Sequence, residues 1–526
     1  MSNDAKAGGP RKINPWLIAF IVSIATFMEV LDVSIANVAL RHIAGSVGAS
    51  YDEATWVLTS YLIANAVILP ASAWLSSMVG RKKFYMFCVA LFTFASFLCG
   101  IAWSLQSLIF FRVLQGLGGG GLAPSEQSIL ADAFPAEKRG SAFAVYGLAV
   151  VVAPTVGPTI GGAITDYSTW HWIFFINIPM GLLSLFLVGT FVDADKKEKT
   201  KNDPKRSLWN FDLVGFLLVA LCLGALEVVL DEGQRSDWFE STFIIAFACL
   251  SAAAFAVFVP WELSRKYPLV KVRLLGTRQF GMCFIMMLVT GGVLFSSIQL
   301  LPQLVQNEFG YDATLAGLSL SPGGFVTMMM MPIAGYLTGK VQPKYLIALG
   351  LAIIGFSMWT LTGLSPDLSF FYAVWTRMFT AAGLPFLFIP ITTASYAGLK
   401  GGDTSQAAGL INIARNLGGS IGLAMVQTSL QQREQFHQSR LVENAVPSNI
   451  HFQESLRQAT IFLQSSGSSA TDAMHRAEAL VGQVILKQAT LLSYIDTFWV
   501  MAVVCVIAFP FAFLLRSIPL GKGPQH

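Results

Sequence analysis

Residues Ala153–Gly162 read Ala-Pro-Thr-Val-Gly-Pro-Thr-Ile-Gly-Gly, inside an apolar run from about Ser141 to Ile164. That run is long enough to cross a bilayer as a helix. Pro154 and Pro158, with Gly157, Gly161 and Gly162, would break a helix in water, but a membrane tolerates them where neighbouring helices re-satisfy the freed backbone groups. Pro158 lacks an N–H and crowds the carbonyl of Pro154, so a local bend is expected. Gly157 and Gly161 form a GxxxG face that admits a second helix at close range. A bent, smooth-faced helix of this kind suits a seam between parts that rock against each other.

The rest of the chain is of the same character. Of its 526 residues 54% are hydrophobic and 12% charged, and the mean hydropathy is +0.61. That is the composition of a polytopic membrane protein. The net charge of +4 is spread over the connections rather than gathered into a basic patch, which excludes nucleic-acid binding. Fourteen apolar runs are candidate spans: 16–40, 56–78, 84–103, 107–130, 141–164, 171–192, 211–230, 241–262, 280–302, 315–338, 345–364, 370–398, 405–428 and 494–517. Lys and Arg fall in every second connection: Lys6, Arg11 and Lys12, then Arg81–Lys83, Lys138–Arg139, Lys196–Arg206, Arg265–Arg278, Lys340–Lys344 and Lys400. The alternate connections carry Asp and Glu, as at Asp52–Glu53, Asp231–Glu232, Glu308–Asp312 and Asp367. By the positive-inside rule both termini are expected in the cytoplasm. The first span carries acidic groups and has no cleavable-signal pattern before it, so it reads as a retained anchor. The six cysteines lie in apolar runs without metal-ligand spacing; buried free thiols and no metal site are expected.

One connection is long. Residues 429–492 form a polar outer segment with helix-like stretches at Leu430–Leu441 and Ala473–Thr490 around a break at Ser465–Ser469. It is either a surface loop or a docking element for a partner outside the membrane. An internal repeat with an offset of about 260 residues relates Ala73–Lys83 to Gly335–Lys344, Arg112 to Arg377, and the glycines of 157–162 to Gly418, Gly419 and Gly422. The repeat predicts an all-α polytopic membrane protein of two six-helix bundles, 1–200 and 271–526, with a helix pair inserted at 201–270.

Several of these stretches together resemble the major facilitator superfamily, and within it the fourteen-helix drug:proton antiporters of the EmrB/QacA type. Leu31–Ala39 resembles that subfamily's first-helix signature, and Leu108–Gly120, with Arg112, Gln115 and Gly116, the superfamily's fourth-helix motif. Residues 153–162 resemble the antiporter motif of the fifth helix, with Ala153 at its leading Gly, while Trp172–Gly181 and Arg415–Gly422 fit the same subfamily. The loop after the second helix keeps Gly80, Arg81 and Lys82 but has Ala73 for the family's Gly and Ser77 for its Asp. The resemblance covers nearly the whole chain. It implies proton-driven efflux of hydrophobic or amphipathic drugs across the bacterial inner membrane, powered by the proton motive force without a cofactor. For Gram-negative EmrB-type pumps it further implies a periplasmic adaptor (an EmrA-like membrane fusion protein) and a TolC-like outer-membrane channel, with 429–492 a candidate docking region. A proton-coupled uptake symporter of the same fold is the alternative.

The chemistry rests on charged groups at membrane depth, each costly when unpaired. Glu29 and Asp32 are three residues apart and share a helix face; two carboxylates this close in a low dielectric do not both ionise readily. At about 1.5 Å per residue Asp32 lies roughly 24 Å into the first span, a depth matched by Arg112 in the oppositely directed fourth. The expected proton-coupling set is Asp32, Glu29 and Arg112, with Asp32 pairing to Arg112 when deprotonated and releasing it when protonated. A permanent pin between the two helices is the structural alternative. Glu126, Gln115, Asn37, Glu227, Arg415 and Gln299 are candidates for substrate binding; Asn65 and Gln127 are plausible cavity groups. The sequence has no HExxH, metal-spaced Cys/His set or GxxxxGK[ST], so a membrane enzyme or a pump with its own ATP site is not expected.

Overall fold

Polar residues just outside the apolar runs start the helices. Asn14 accepts the Trp16 amide at 3.0 Å, Ser50 and Glu53 form a capping box, and Ser104 accepts the Ser107 amide. A computed structural model describes residues 14–192, 211–308, 310, 313–365, 370–399, 403–467 and 469–518. The expectations at Lys6, Arg11, Lys12, Lys196–Arg206, Asp312, Asp367 and Lys400 lie outside the described residues.

The helices are α1 (Pro15–Val47), α2 (Tyr51–Val79), α3 (Arg81–Gly100), α4 (Leu105–Gly119), α5 (Leu122–Ala133), α6 (Arg139–Tyr167), α7 (Trp172–Phe175), α8 (Asn177–Phe191), α9 (Leu213–Glu232), α10 (Thr242–Ser264), α11 (Arg278–Asn307), α12 (Ala313–Thr338), α13 (Pro343–Thr360), α14 (Phe370–Ser395), α15 (Thr404–Val442), α16 (Ile450–Ser465) and α17 (Ala470–Ala512). There is no strand among the described residues. Eleven of the helical stretches are long and apolar enough to cross a membrane. The fourth span differs from the single helix expected: it is interrupted at Gly120–Gly121 and divides into α4 and α5. The tenth carries Pro322 and Pro332 inside α12, and the thirteenth carries buried Gln406, Asn412 and Arg415. The fifth span is α6, which continues through Pro154 and Pro158 without interruption.

The helix-like stretches read within 429–492 are helical, and they continue the membrane helices: α15 runs 39 residues and α17 43 residues, about 58 Å and about 64 Å at 1.5 Å per residue, roughly twice the ~30 Å hydrocarbon layer. The polar stretches are therefore the projecting ends of two membrane helices that pack side by side, with α16 against α17. Contrary to the expected burial, Cys249 is exposed on α10, while the other five cysteines are free and buried.

The glycine-rich helix packs in two directions. α6 lies along α1 in its own half and along α12 in the other, and α15 lies along α11 and α2 in the same manner. A Cβ at Gly157 would come within 2.3 Å of Ser34 Oγ on α1, and one at Gly418 within 2.0 Å of the Leu288 carbonyl on α11. Those approaches require glycine. The inserted helix α9 pairs with α10 and lies against both α2 and α15.

Candidate functional site

The helices bring two buried polar clusters together near α1. The first is built on Asp32, 1% exposed. Arg112 of α4 donates from Nη1 to Asp32 Oδ2 at 2.6 Å and to Gln115 Oε1 at 2.7 Å, and from Nε to the Val57 carbonyl at 3.0 Å. Asp32 Oδ1 accepts from Gln115 Nε2 at 3.0 Å and from Asn177 Nδ2 of α8 at 2.6 Å. Asn177 also donates to Ser96 on α3. The guanidinium lies over the Tyr61 ring at 4.3 Å. Three helices of the first half, α1, α4 and α8, thus meet at one carboxylate, and the ion pair is buried.

The second cluster crosses between the halves. Glu29 does not turn to Asp32; its Oε1 accepts from Asn65 Nδ2 at 3.0 Å and from the Tyr61 hydroxyl at 3.4 Å on α2, and its Oε2 is buried without a partner. Tyr61 therefore touches both clusters, ring to Arg112 and hydroxyl to Glu29. Asn65 Oδ1 accepts from Asn416 Nδ2 of α15 at 3.3 Å, and Asn416 Oδ1 accepts from Arg415 Nη2 at 3.2 Å. Arg415 Nη1 donates to the Tyr146 hydroxyl of α6 at 2.6 Å. Beside them, Glu126 of α5 is fully buried and accepts from Ser23 Oγ at 2.6 Å and from Thr26 Oγ1. Gln127 accepts from Asn412 Nδ2 at 2.9 Å.

The other candidates lie elsewhere. Gln115 is part of the Asp32–Arg112 cluster rather than a free cavity group. Asn37 is exposed on α1 and Gln299 half-buried on α11; neither joins the buried clusters. Glu227 is buried away from both clusters, where α9 lies against α15 and Ser420 Oγ donates to it at 2.6 Å. In the conformational motif, Gly157 and Gly161 face Ser34 and Ile35 of α1, whereas nothing lies within 4 Å of a Cβ at Gly162. Gly80, at φ +98°, turns the chain from α2 into α3. Arg81 pairs with Asp132 of α5 and donates to Thr404 of α15 at 3.4 Å, and Lys82 donates to the Gly189 carbonyl at 2.9 Å. Ser77, in place of a loop Asp, donates to the Trp74 carbonyl.

Sequence reasoning passed over Asn177, Tyr61, Tyr146 and Asp132. Asn177 stood inside the Trp172–Gly181 motif and could have been singled out as its one polar group; the others carry no local signal. Among the described residues no group of three or more His, Cys, Asp or Glu side chains could hold a metal.

Residues 22–423 match the Major Facilitator Superfamily. The chain is 33% identical to the multidrug export protein EmrB of Escherichia coli K12 over 508 residues, 96% of both chains. It is 34% identical to EmrB of Haemophilus influenzae over 487 residues, 92% of both. The protein belongs to the Major Facilitator Superfamily, among its EmrB-like members. That membership makes it a multi-pass membrane transporter and not an enzyme. The fatty acid resistance protein FarB of Neisseria gonorrhoeae is 32% identical over 509 residues, 97% of both chains. Among solved structures, the proton:xylose symporter XylE matches with a TM-score of 0.59 at 14% identity over 95% of both chains. The human organic anion transporter MFSD10 matches at 0.56 and 10% identity, over 94% of this chain and all of that one. These two likenesses concern the fold alone.

Proposed function

We propose that the protein is a proton-driven multidrug efflux transporter, a drug:proton antiporter that exports hydrophobic or amphipathic compounds across the bacterial inner membrane with both termini in the cytoplasm. The full-length similarity to multidrug export proteins supports the cargo class. The observation that carries the coupling is the buried Asp32–Arg112 pair, held by Gln115 and Asn177. Asp32 holds Arg112 only as a carboxylate: a proton on Oδ2 sets a donor against a donor, and the pair opens. Because the Tyr61 ring lies under Arg112 while its hydroxyl bonds Glu29, and Glu29 reaches α15 through Asn65 and Asn416, a change at Asp32 has a short route to the other half, one cation–π contact followed by hydrogen bonds. Proton entry and cargo exit then favour different arrangements of the two halves, which is the differential binding that coupling requires. No cofactor is needed beyond the proton motive force.

We place the projecting α15–α17 elements on the periplasmic side, as the docking region for an adaptor that continues the path to an outer-membrane channel. Transport of ethidium in proteoliposomes with an imposed pH gradient tests the reading. Ethidium moving against the proton flux is expected; ethidium moving with protons would establish the uptake symporter instead.

A further inference from the structure

The two halves carry the same arginine with different partners. Arg112 donates to Asp32, 80 residues before it, and Arg377 donates to Ser297 at 3.2 Å, also 80 residues before it. The repeat therefore puts a serine hydroxyl on α11 where α1 has its carboxylate. The glutamine is replaced too: three residues after Arg112, Gln115 closes onto the pair, whereas three residues after Arg377, Thr380 is engaged at 2.8 Å with Ser357 of α13.

Arg377 is 2% exposed, its Nε is buried without a partner, and no ion pair among the described residues includes it. A guanidinium keeps its charge at any physiological pH, and one buried without a counter-charge is strongly disfavoured. Its position is nevertheless fixed. Gly323 of α12 lies against the stem, so a Cβ there would meet Arg377 Cγ at 3.0 Å and Nε at 3.3 Å. A held, unneutralised guanidinium beside a hydroxyl is an acceptor-ready fork for a carboxylate.

We propose that Arg377 with Ser297 forms an anion site, completed by a carboxylate or an inorganic anion from outside the chain in the place that Asp32 fills in the first half. If the anion is a cargo headgroup, which rests on the exporter reading above, the transporter carries amphipathic carboxylates as well as neutral and cationic drugs. If it is chloride, the second half is neutralised by a resident ion.

The test uses the full-length protein in nanodiscs, with binding of radiolabelled decanoate and radiolabelled chloride to wild type, Arg377→Met and Ser297→Asp. Decylammonium serves as the control of opposite charge. Ser297→Asp keeps the arginine and fills its counter-charge from within, so it reads the site even if Arg377→Met misfolds. Loss of one charge-assisted contact weakens the occupant by about ten- to a hundredfold. Decanoate weakened to that extent in both variants assigns the site to a cargo carboxylate; the same pattern with chloride assigns it to the inorganic ion. Wild-type affinity for both anions in Ser297→Asp overturns the proposal, as does a wild-type protein that binds neither. Ethidium efflux by the wild type, run alongside, keeps the two ideas apart: its absence sinks the exporter reading and leaves the anion result standing.

Discussion

Replacing Asp32 tests the ion pair as both a structural and a coupling element. The carboxylate takes Arg112 Nη1 on Oδ2, and Gln115 Nε2 and Asn177 Nδ2 on Oδ1. In Asp32→Asn one oxygen remains. If it stays with Gln115 and Asn177, the new amide nitrogen faces Arg112 Nη1 across what was a 2.6 Å contact, donor against donor. The pair is therefore lost whichever way the amide turns, and Arg112 is left buried without its counter-charge. Removing one partner of a buried ion pair costs about 3–5 kcal/mol. Removing both charges, as in Asp32→Asn/Arg112→Met, costs far less, because no orphaned charge remains and the amide oxygen at position 32 still accepts from Gln115 and Asn177. The double variant is thus expected to be the more stable of the two, by about 3 kcal/mol or more in a double-mutant cycle. Unfolding midpoints in one fixed detergent give the ranking, and pH-gradient-driven efflux gives the function. Both variants should fail to couple transport to protons, since neither has a group at this place that gains and loses a proton. Two results would refute the reasoning: an Asp32→Asn protein as stable as the double variant, or one that still pumps under a pH gradient.

The seam helix gives a second test. Gly157→Val drives a side chain into Ser34 and is expected to cost about 1–3 kcal/mol and to depress transport, while Gly162→Ala, with open space around its Cβ, leaves the unfolding midpoint unchanged. Glu126→Gln replaces a carboxyl oxygen that accepts from Ser23 or Thr26 by an amide nitrogen and should lower ethidium efflux about tenfold, the equivalent of one hydrogen bond; equal efflux would discard Glu126 as a substrate-binding group. Burial raises the pKa of Glu308 at the end of α11 despite the nearby Lys487. The folded protein then holds that proton more tightly than the unfolded chain, so this carboxyl's contribution to stability falls as the pH rises. Glu308→Gln should flatten that slope in a pH series of unfolding midpoints. Replacing residues 445–468, which include α16, by a short linker should leave ethidium transport in vesicles intact and abolish pull-down of a cognate adaptor.

The fold was legible because its signals are long and redundant. Twenty-residue apolar runs, alternating loop charge and a repeat each point to the same architecture, and an error in one does not upset the others. The helix ends were less legible where a span changes character. The fourth span read as one apolar run, 107–130, whereas α4 ends at Gly119 and α5 begins at Leu122; Gly120 lies against α2, where a Cβ would meet the Asn65 carbonyl at 2.5 Å. The polar stretches Leu430–Leu441 and Ala473–Thr490 read as helical, but not as continuations of the membrane helices α15 and α17, because hydropathy marks where the membrane stops, not where the helix does. At the site, Asp32 and Arg112 could be paired from depth alone, as charges without water must find each other. The amide and tyrosine partners could not, since Asn65, Asn416, Tyr61 and Tyr146 come together only through the packing of α2, α6 and α15.

The placement of α9 bears on how the two halves separate. Near the Gly80 end, the halves meet through close-packed small residues: a Cβ at Gly140 would meet the Gly335 carbonyl at 2.9 Å, and Ser128 and Ser405 share a hydrogen bond at 2.9 Å. Toward the end bearing α16, the seam between α2 and α15 is instead bridged by the inserted helix and the turn after it. Thr59 of α2 donates to Asp231, Ser420 of α15 donates to Glu227 at 2.6 Å, and Trp238 Nε1 donates to Thr428 at 3.1 Å. A steric seam excludes everything when closed and opens only by moving whole helices, whereas hydrogen bonds to a third helix can be exchanged one at a time for water. The insertion thus gives the seam at the α16 end a polar strap that two six-helix bundles alone would lack. Its two carboxylates belong to α9 and its hydroxyls to opposite halves, so α9 can stay with one half as the other leaves. On that reasoning Glu227→Ala, which removes a contact of α9 with α15, and Asp231→Ala, which removes one with α2, should alter transport in different degrees. Equal effects from the two substitutions would mean that α9 moves with neither half.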